Sequence, residues 1–246
     1  MTTLVLAAGG STPYQDAGYP YPKELAELDG QPLIEHVLTH LGPLTEEPTV
    51  VVLDATADRK YCIADVVRLV VPSAVARRIA PTSGAACSAL CAIGDVDPDG
   101  DLLVVNGDQF IDANLAGIVQ RWRASDLDAG TVVFDATHPR WSYVRVDERG
   151  LVVEAAEKRP ISRLATAGIY WFRRASDLFD AIETVMLQSS GRDTVFYLCP
   201  MLNELVLAGR RIGVAHIRRD EYHSFKYPDE LEEYVRERRA FAGSRS

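Results

Sequence analysis

Short apolar runs recur in the first half of the chain, and each run is nearly continuous and rich in β-branched residues. They are TLVLAA at 3–8, TVVVLDA at 49–55, DLLVVNGD at 101–108 and GTVVFDA at 130–136. Strands that are apolar on both faces are typical of a parallel sheet covered on both sides. Segments with helical apolar spacing separate them, at 32–42, 82–95 and 113–125, with stops at Gly42 and Gly94. This alternation predicts a doubly wound α/β fold.

From about residue 137 the pattern changes to alternating strands. The sequence predicts strands within 142–158, joined by the turn DERG, and at 166–175 and 211–219. It predicts helices at 176–187, 195–209 and 228–243. We therefore expect the second half to extend the first sheet, giving one Rossmann-like, three-layer domain over 1–246 with a mixed, mainly parallel sheet.

Composition and charge narrow the possible partners. The chain has 246 residues, 47% hydrophobic and 25% charged, which is enough for one large core. A formal net charge of −9 argues against DNA or RNA, whose binders concentrate Lys and Arg on one face. No stretch reaches the roughly 18 apolar residues of a membrane span, and the N-terminus lacks a basic signal region. We expect a cytoplasmic protein without membrane partners. The cysteines show no CxxC pair, and Cys87 and Cys91 are predicted to be small buried residues of a helix.

The first candidate site is the loop that follows the first strand, in LVLAAGGSTPYQDAGYPYPKEL. Gly9 and Gly10 permit close backbone approach to a phosphate, and Ser11 and Thr12 add hydroxyl donors. Lys23 follows a proline and supplies a point charge suited to phosphate. An ordinary turn uses the same residue types, so the loop alone leaves both interpretations open.

The second candidate is LLVVNGDQFID at 102–112, where a buried strand ends in polar residues. Open α/β sheets bind ligands at the carboxyl ends of their strands. Asp108 at this edge is predicted to hold Mg²⁺, which takes one or two carboxylates together with phosphate oxygens and water. For Asp112 the pattern favours the N-cap of the next helix instead.

The third candidate lies in VVEAAEKRPISRLATAGIYWF at 152–172. Glu157 and Lys158 stand near the end of one strand, and Gly168 lies in the next. The charged residues could form a surface ion pair worth under about 1 kcal/mol. Together with Lys23 they could instead surround an anionic substrate.

Several of these segments carry a resemblance that spans nearly the whole chain. They are LVLAAGG with YPKEL, then APTSGAACSAL, VVNGDQF, AEKRPIS with TAGIYWF, and FKYPDELEEY. In this order they resemble the nucleotidyltransferase family, which joins sugar phosphates or related phosphorylated small molecules to NTPs with release of pyrophosphate. The segments NGDQ and AEKRPIS with ATAGIYWF, and the motif CPMLNEL, are similar to a bacterial subgroup found among capsule, lipopolysaccharide and natural-product genes.

The resemblance implies roles for particular residues. It places the nucleotide on Leu6, Ala7, Ala8, Gly9, Gly10, Ser11, Thr12, Thr82, Ser83 and Gly84, with Gly84 letting the base approach the chain. Lys23 would face the α-phosphate and the attacking phosphate, and Asp108 would bind Mg²⁺ beside the α-phosphate. In the acceptor half, Glu157 would bind hydroxyls, Lys158 the phosphate, and Gly168 would line the pocket. Residues 1–136 would then be the nucleotide-binding half and 137–246 the acceptor-binding half.

The chain departs from the family pattern at two positions. Thr12 stands where the family has an arginine that contacts the outgoing phosphates, and Thr cannot replace a bidentate guanidinium. Ser224 stands where the family often has the Asp that is a second metal ligand. Lys226, Arg77 and Arg78 are candidate replacements for the lost charge.

We expect a Mg²⁺-dependent nucleotidyltransferase that uses CTP, UTP or dTTP and a phosphorylated sugar, phosphonate or other small acceptor. One alternative is a protein that keeps the fold and binds a nucleotide or nucleotide-sugar without turnover. Another is a glycosyltransferase, although its expected DxD motif would be Asp97-Pro98-Asp99, which precedes a strand instead of ending one. Exposed apolar positions on 195–209 would suit a homodimer.

Overall fold

The computed structural model describes residues 1–46, 48–189 and 194–243, with side chains described as far as 238. The strands are β1 (Thr2–Ala7), β2 (Glu27–Leu28), β3 (Gln31–Pro32), β4 (Thr49–Asp54), β5 (Val75–Ile79), β6 (Leu102–Asn106), β7 (Gln109–Ile111), β8 (Ala129–Asp135), β9 (Tyr143–Val146), β10 (Val152–Ala156), β11 (Leu164–Phe172), β12 (Ile212–His216) and β13 (Tyr222–Ser224). The α-helices are α1 (Thr12–Asp16), α2 (Leu33–Leu41), α3 (Ala55–Tyr61), α4 (Ile63–Val70), α5 (Ala85–Leu90), α6 (Leu115–Ala124), α7 (Ala175–Gln188), α8 (Leu202–Leu207) and α9 (Pro228–Gly243). Short 3-10 helices lie at Lys23–Leu25, Gly42–Thr45, Ile93–Asp95, Cys199–Met201 and Arg219–Glu221.

The main sheet is built around β1, which pairs in parallel with β4 on one side and β6 on the other. β5 extends the parallel block beyond β4. Beyond β6, β11 runs antiparallel and also pairs with β8, to which β12 adds in parallel. The hairpin of β9 and β10 joins the start of β11. The predicted mixed, mainly parallel sheet is confirmed, and so is its extension by the second half.

Helices cover both faces of this sheet, as the apolar strands require. Val5 of β1 points toward the buried side chains of α2, α4 and α6. Its neighbours Leu4 and Leu6 point the opposite way, into a second core formed with α5, α7 and α8. Side chains alternate between the faces of a strand, so a strand that is apolar at every position supports two cores at once. The result is the predicted three-layer arrangement.

One predicted helix, at 82–95, is shorter at both ends than the sequence pattern indicated. The helix predicted at 82–95 begins only at Ala85, because Gly84 has φ +119°. It ends at Leu90 and tightens into 3-10 turns, so Gly94 is not its stop. Cys91 is exposed and Cys87 is half-buried, so the prediction of buried cysteines was wrong.

The helix predicted at 195–209 is also shorter than expected. Residues 195–198 are not helical, a 3-10 turn follows at Cys199–Met201, and only α8 is regular helix. Pro200 suits the first turn of a helix and has no N–H to donate to Phe196 O, which instead accepts the Ala86 N–H, so helical turns begin only at Cys199. Asn114, not Asp112, caps α6, since its side chain accepts the Gly117 N–H.

The ends of β1 and β6 are drawn tightly together. The Gly107 N–H donates to Leu6 O at 2.8 Å, and a Cβ at Gly107 would lie 2.5 Å from the Ala7 Cβ. This close approach needs glycine, and it brings the loop after β1 beside Asp108. Within the described ranges we find no helix with the length and hydrophobicity to cross a bilayer.

Candidate active site

Lys23 and Asp108 form the centre of the site. Lys23 Nζ donates to Asp108 Oδ2 at 2.6 Å, and the lysine side chain is only 8% exposed. A Cβ at Gly9 would lie 3.0 Å from the same ammonium group. The loop after β1, the 3-10 turn at Lys23–Leu25 and the end of β6 therefore meet at one point. The predicted loop and carboxylate are brought together, although a direct ion pair between them was not predicted.

The charges around Lys23 explain its protonation. Burial lowers the pKa of Lys23, but attraction to Asp108 and Glu24 and the hydrogen bond to Asp108 outweigh burial and raise that pKa. Lys23 is therefore a cation at neutral pH. The two carboxylates compensate the cost of burying this charge.

Glu24 is a buried carboxyl that the sequence did not single out. Burial raises its pKa to about 7, against the opposing effect of Lys23. Its Oε2 accepts a long hydrogen bond of 3.5 Å from Ser11 Oγ, and its Oε1 has no hydrogen-bond partner among the described residues. Ser11 Oγ in turn accepts the Lys23 N–H at 3.1 Å. Ser11 thus ties the glycine loop to the segment that carries Lys23.

The rest of the loop is folded against the body of the protein. α1 begins at Thr12, and Tyr14 within it is fully buried. The Tyr14 hydroxyl donates to Phe225 O at 2.8 Å, and its ring contacts Tyr19 with centroids 5.0 Å apart. Thr12 itself is exposed at the start of α1. No guanidinium stands at this position, as the sequence indicated.

Ser224 lies directly beside the strand that follows Asp108. It pairs with Gln109 across β7 and β13, and the next residue, Phe225, donates its N–H to Asp108 O at 2.9 Å. The Ser224 hydroxyl donates to Glu230 Oε2 at 3.2 Å, from the first turn of α9. Glu230 also pairs with Arg140 at 3.2 Å. A carboxylate therefore approaches this position from α9, which the linear motif did not reveal.

The turn at Thr82, Ser83 and Gly84 follows β5 and precedes α5. The Thr82 hydroxyl bonds Gly84 O at 3.1 Å and Ser88 Oγ at 2.7 Å, which fixes the turn. Gly84 has φ +119°, and a Cβ there would lie 2.5 Å from Phe196 O. The main chain of Phe196 occupies the space that a side chain at position 84 would need. This packing requires glycine at position 84, in addition to the predicted approach of a base.

In the predicted acceptor half, Glu157 accepts a hydrogen bond from Ser142 Oγ. Burial raises the pKa of Glu157, while the positive charges of Lys158 and Lys226 lower it in part. Lys158 follows with a left-handed backbone, φ +53°, and its N–H donates to Trp141 O at 3.1 Å. Lys226 therefore lies near enough to Glu157 to act on its charge.

Gly168 has a strict geometric role in β11. It has φ +64°, and an added Cβ would meet Asn106 Nδ2 and lie 2.8 Å from Gln109 Nε2. Gln109 is buried, accepts from Asn106 Nδ2 at 3.3 Å and Tyr222 Oη at 3.0 Å, and donates to Ala167 O. This polar network lies immediately behind Asp108. Gln109 was part of a recognised motif, but its role depends on partners far away in sequence.

The other candidate groups lie in separate interactions. Arg77 is bidentate to Asp95, and Arg78 pairs with Asp58. Each guanidinium is thus already held by a carboxylate, so neither stands free to replace the missing arginine.

Asp112 accepts from His223 at 2.8 Å instead of capping a helix. Among the described residues, no group of three or more His, Cys, Asp or Glu is arranged to hold a metal ion on its own. Asp97 and Asp99 share a turn ahead of β6, with the Asp99 N–H donating to Asp97 Oδ1 at 3.1 Å.

Comparison with known proteins shows what the chain as a whole resembles. The sequence is similar to the UTP–glucose-1-phosphate uridylyltransferase AglF of Haloferax volcanii, with 28% identity over 95% of this chain and 94% of that protein. The structure is similar to a nucleoside-diphosphate-sugar pyrophosphorylase from Vibrio cholerae, with a TM-score of 0.81 and 25% identity over 96% of this chain and 100% of that one. An inositol-1-phosphate CTP transferase from T. maritima shares the fold, with a TM-score of 0.74 and 16% identity over 96% of both chains.

The family profile of the MobA-like NTP transferase domain matches residues 3–212. This range includes the glycine loop after β1, Lys23, Asp108, the bend after β10 with Glu157 and Lys158, and Gly168 in β11. The chain therefore belongs to the MobA-like NTP transferase family and is a nucleotidyltransferase, which moves an NMP from an NTP to a phosphorylated small molecule and releases pyrophosphate.

Proposed function

We propose that this enzyme transfers UMP from UTP to a hexose 1-phosphate, with CTP and dTTP as the next nucleotides to consider. The observation that carries the proposal is the Lys23–Asp108 ion pair, formed by residues 85 positions apart at the meeting point of β1 and β6. The similarity to a UTP–glucose-1-phosphate uridylyltransferase over nearly the full length of both chains supports the choice of substrates.

At the nucleotide end, the main chain of Leu6–Gly10 and the turn at 82–84 form the proposed base and ribose site. Ser11 and Thr12 are the proposed hydroxyl donors at the start of the loop. Lys23 lies between this loop and Asp108, where its charge would face the α-phosphate. Because Lys23 is positive and shielded from water, its attraction for a phosphate is stronger than that of an exposed lysine.

Magnesium is the metal proposed for Asp108. Its carboxylate is partly exposed and carries hard oxygen donors at the carboxyl end of a strand, the donor type that Mg²⁺ takes alongside substrate phosphates. When bound, the ion would neutralise charge on the phosphates. Lys23 bonds Asp108 Oδ2, so the other carboxylate oxygen would be available to hold the ion.

At the acceptor end, Glu157 and Ser142 offer a carboxylate and a hydroxyl to sugar hydroxyls. Lys158 and Lys226 offer two cations to the acceptor phosphate. Gly168 would line the acceptor pocket. Residues 1–136 would thus bind the nucleotide and 137–246 the acceptor. The cytoplasmic location and the homodimer remain predictions.

The chemistry needs no protein nucleophile. An oxygen of the acceptor phosphate attacks the α-phosphorus, the bond from that phosphorus to the bridging oxygen breaks, and pyrophosphate leaves with the electron pair. Two polyanions repel each other, and Lys23 and Lys158 offset that repulsion from opposite sides. Positioning and electrostatic stabilisation then supply most of the rate enhancement.

The test is pyrophosphate release with Mg²⁺, each of ATP, GTP, CTP, UTP and dTTP, and a panel of hexose 1-phosphates and other small phosphates. We expect the highest kcat/KM with UTP and a hexose 1-phosphate. Lys23→Ala should lower it about 10²- to 10³-fold, by analogy with the loss of one transition-state donor. Lys60→Ala is the matched control, because Lys60 is exposed on α3.

Equal losses in the two lysine variants would contradict the role of Lys23. If pyrophosphate were released only with a purine nucleotide, or only with an acceptor phosphate that is not a sugar phosphate, the proposed substrates would be wrong. The assignment as a nucleotidyltransferase would still stand.

A further inference from the structure

The segment 195–198, here called the bridge, touches both ends of the site. At its nucleotide end the Phe196 N–H donates to Ser83 O at 2.7 Å, and Phe196 O accepts the Ala86 N–H at 3.0 Å. Both contacts use main-chain atoms. Since a Cβ at Gly84 would lie 2.5 Å from Phe196 O, the turn and the bridge lie against each other without a spacer. A shift of the turn at 82–84 therefore displaces the bridge.

At its acceptor end the bridge holds Lys158. Lys158 Nζ donates to Tyr197 Oη at 3.1 Å and lies 5.1 Å from the centre of the tyrosine ring. The hydrogen bond to Tyr197 is the main cause that raises the pKa of Lys158. Both the hydroxyl and the ring of Tyr197 thus contact the ammonium group directly.

The backbone of Lys158 is held separately from this contact, because its N–H donates to Trp141 O at 3.1 Å. Its φ of +53° is unusual for a residue with a side chain, and such conformations persist only where surrounding contacts enforce them. The side chain is exposed, and a free lysine side chain samples many rotamers. The hydrogen bond to Tyr197 favours the rotamers of Lys158 that hold its ammonium group beside the bridge.

We propose that Tyr197 is a positioning residue for Lys158, and that the bridge couples the nucleotide turn to the acceptor's phosphate. The inference rests on the proposed function, because it takes Lys158 as the contact to that phosphate. A nucleotide that orders the turn at 82–84 orders the bridge and hence Lys158, so the acceptor binds more tightly to the nucleotide-loaded enzyme. Thermodynamic linkage requires the same factor in the reverse direction.

The first test needs no substrate. The pKa of Lys158 is measured from the pH dependence of its trace acetylation, read by mass spectrometry, in the wild type and in Tyr197→Phe. We expect a lower pKa in the variant, because the phenol oxygen that accepts from the ammonium group is gone. Tyr227→Phe is the control: this exposed tyrosine acts on Lys158 only through space, so its loss should lower the Lys158 pKa less than Tyr197→Phe does.

The second test measures coupling by calorimetry, with glucose 1-phosphate and an α,β-methylene analogue of UTP. In Tyr197→Phe we expect acceptor affinity to fall about 3- to 10-fold, as for the loss of one hydrogen bond of ordinary strength at an exposed side chain. Affinity for the analogue alone should stay within about twofold. The factor by which the analogue tightens acceptor binding should fall toward 1, while Tyr227→Phe keeps the wild-type factor.

The outcomes separate this inference from the proposed function. An unchanged Lys158 pKa, or a coupling factor equal in the wild type and Tyr197→Phe, overturns the role of the bridge even when the wild type releases pyrophosphate. A wild type that binds both ligands without any coupling overturns it as well. Failure of the substrates themselves is seen separately, as absent pyrophosphate release.

Discussion

Gly168→Ala is the substitution whose effect follows most directly from the geometry of the site. Two costs add. The left-handed backbone at φ +64° costs a residue with a Cβ about 1–2 kcal/mol. The new methyl group also needs the space of Asn106 Nδ2 and Gln109 Nε2. Moving Gln109 leaves Tyr222 Oη or Ala167 O buried without a partner, at about 1–3 kcal/mol.

Together these terms predict a loss of about 2–5 kcal/mol in the free energy of unfolding. For a chain of this size each kcal/mol lowers the melting temperature by about 2–4 °C, so Tm should fall by roughly 4–20 °C. The measurement is urea denaturation followed by circular dichroism, with calorimetry for Tm.

Gly150→Ala is the matched control. Gly150 has φ +78° in the turn between β9 and β10, and an added Cβ would have nothing within 4 Å. It should therefore show the backbone cost alone, about 1–2 kcal/mol. If Gly168→Ala destabilises the protein no more than Gly150→Ala does, the crowding against Gln109 is not a real constraint and the reasoning fails.

Three further predictions concern the charged groups. The pKa of Glu24 in the folded protein is about 7, above its ordinary 4.5, so the stability that its proton supplies is present below pH 4.5 and is lost as pH rises through 7. Glu24→Gln should make the free energy of unfolding depend less steeply on pH, as measured by urea unfolding at pH 5, 6, 7 and 8, and a dependence unchanged from the wild type would contradict the burial argument. Asp108→Asn should lower kcat/KM about 10²-fold or more and weaken the response to Mg²⁺ titration, and full activity with a normal Mg²⁺ response would rule out its assignment. Lys226→Met should raise the KM of the acceptor about 3- to 10-fold and leave the KM of UTP unchanged, whereas an effect on UTP alone would place Lys226 at the wrong end of the site.

The sequence predicted those parts of the fold that local pattern controls. The apolar runs correctly placed β1, β4, β6 and β8 within a residue or two, and the turn at 147–150 closes with the Gly150 N–H donating to Asp147 O at 3.0 Å. These features depend on burial on both faces of a strand and on the residue types of a turn. Both can be recognised within a few consecutive residues of the sequence. The stretch 195–201 failed because its apolar spacing resembles a helix, while Pro200 and the contacts of Phe196 keep its start non-helical.

The site was predictable in its residue types and much less so in its contacts. Lys23 and Asp108 were placed at the same site, but as separate contacts to phosphate and metal. The reasons for Gly84 and Gly168 are the neighbours Phe196 and Gln109, which tertiary structure alone brings near. Glu230 escaped notice because its approach to Ser224 depends on where α9 begins.

The position of β11 has a consequence for how the chain folds as it is synthesised. β6 pairs with β1 as soon as residue 106 is available, but its other edge pairs only with Ile169–Phe172 of β11. The middle of the sheet therefore keeps an open, apolar strand edge while more than sixty further residues emerge from the ribosome. Such an edge invites pairing with other chains, and non-local pairing of this kind is slow. The nascent enzyme thus passes through a stage in which one edge of a buried central strand is open to other chains, and chaperones that shield exposed strands would act at that stage.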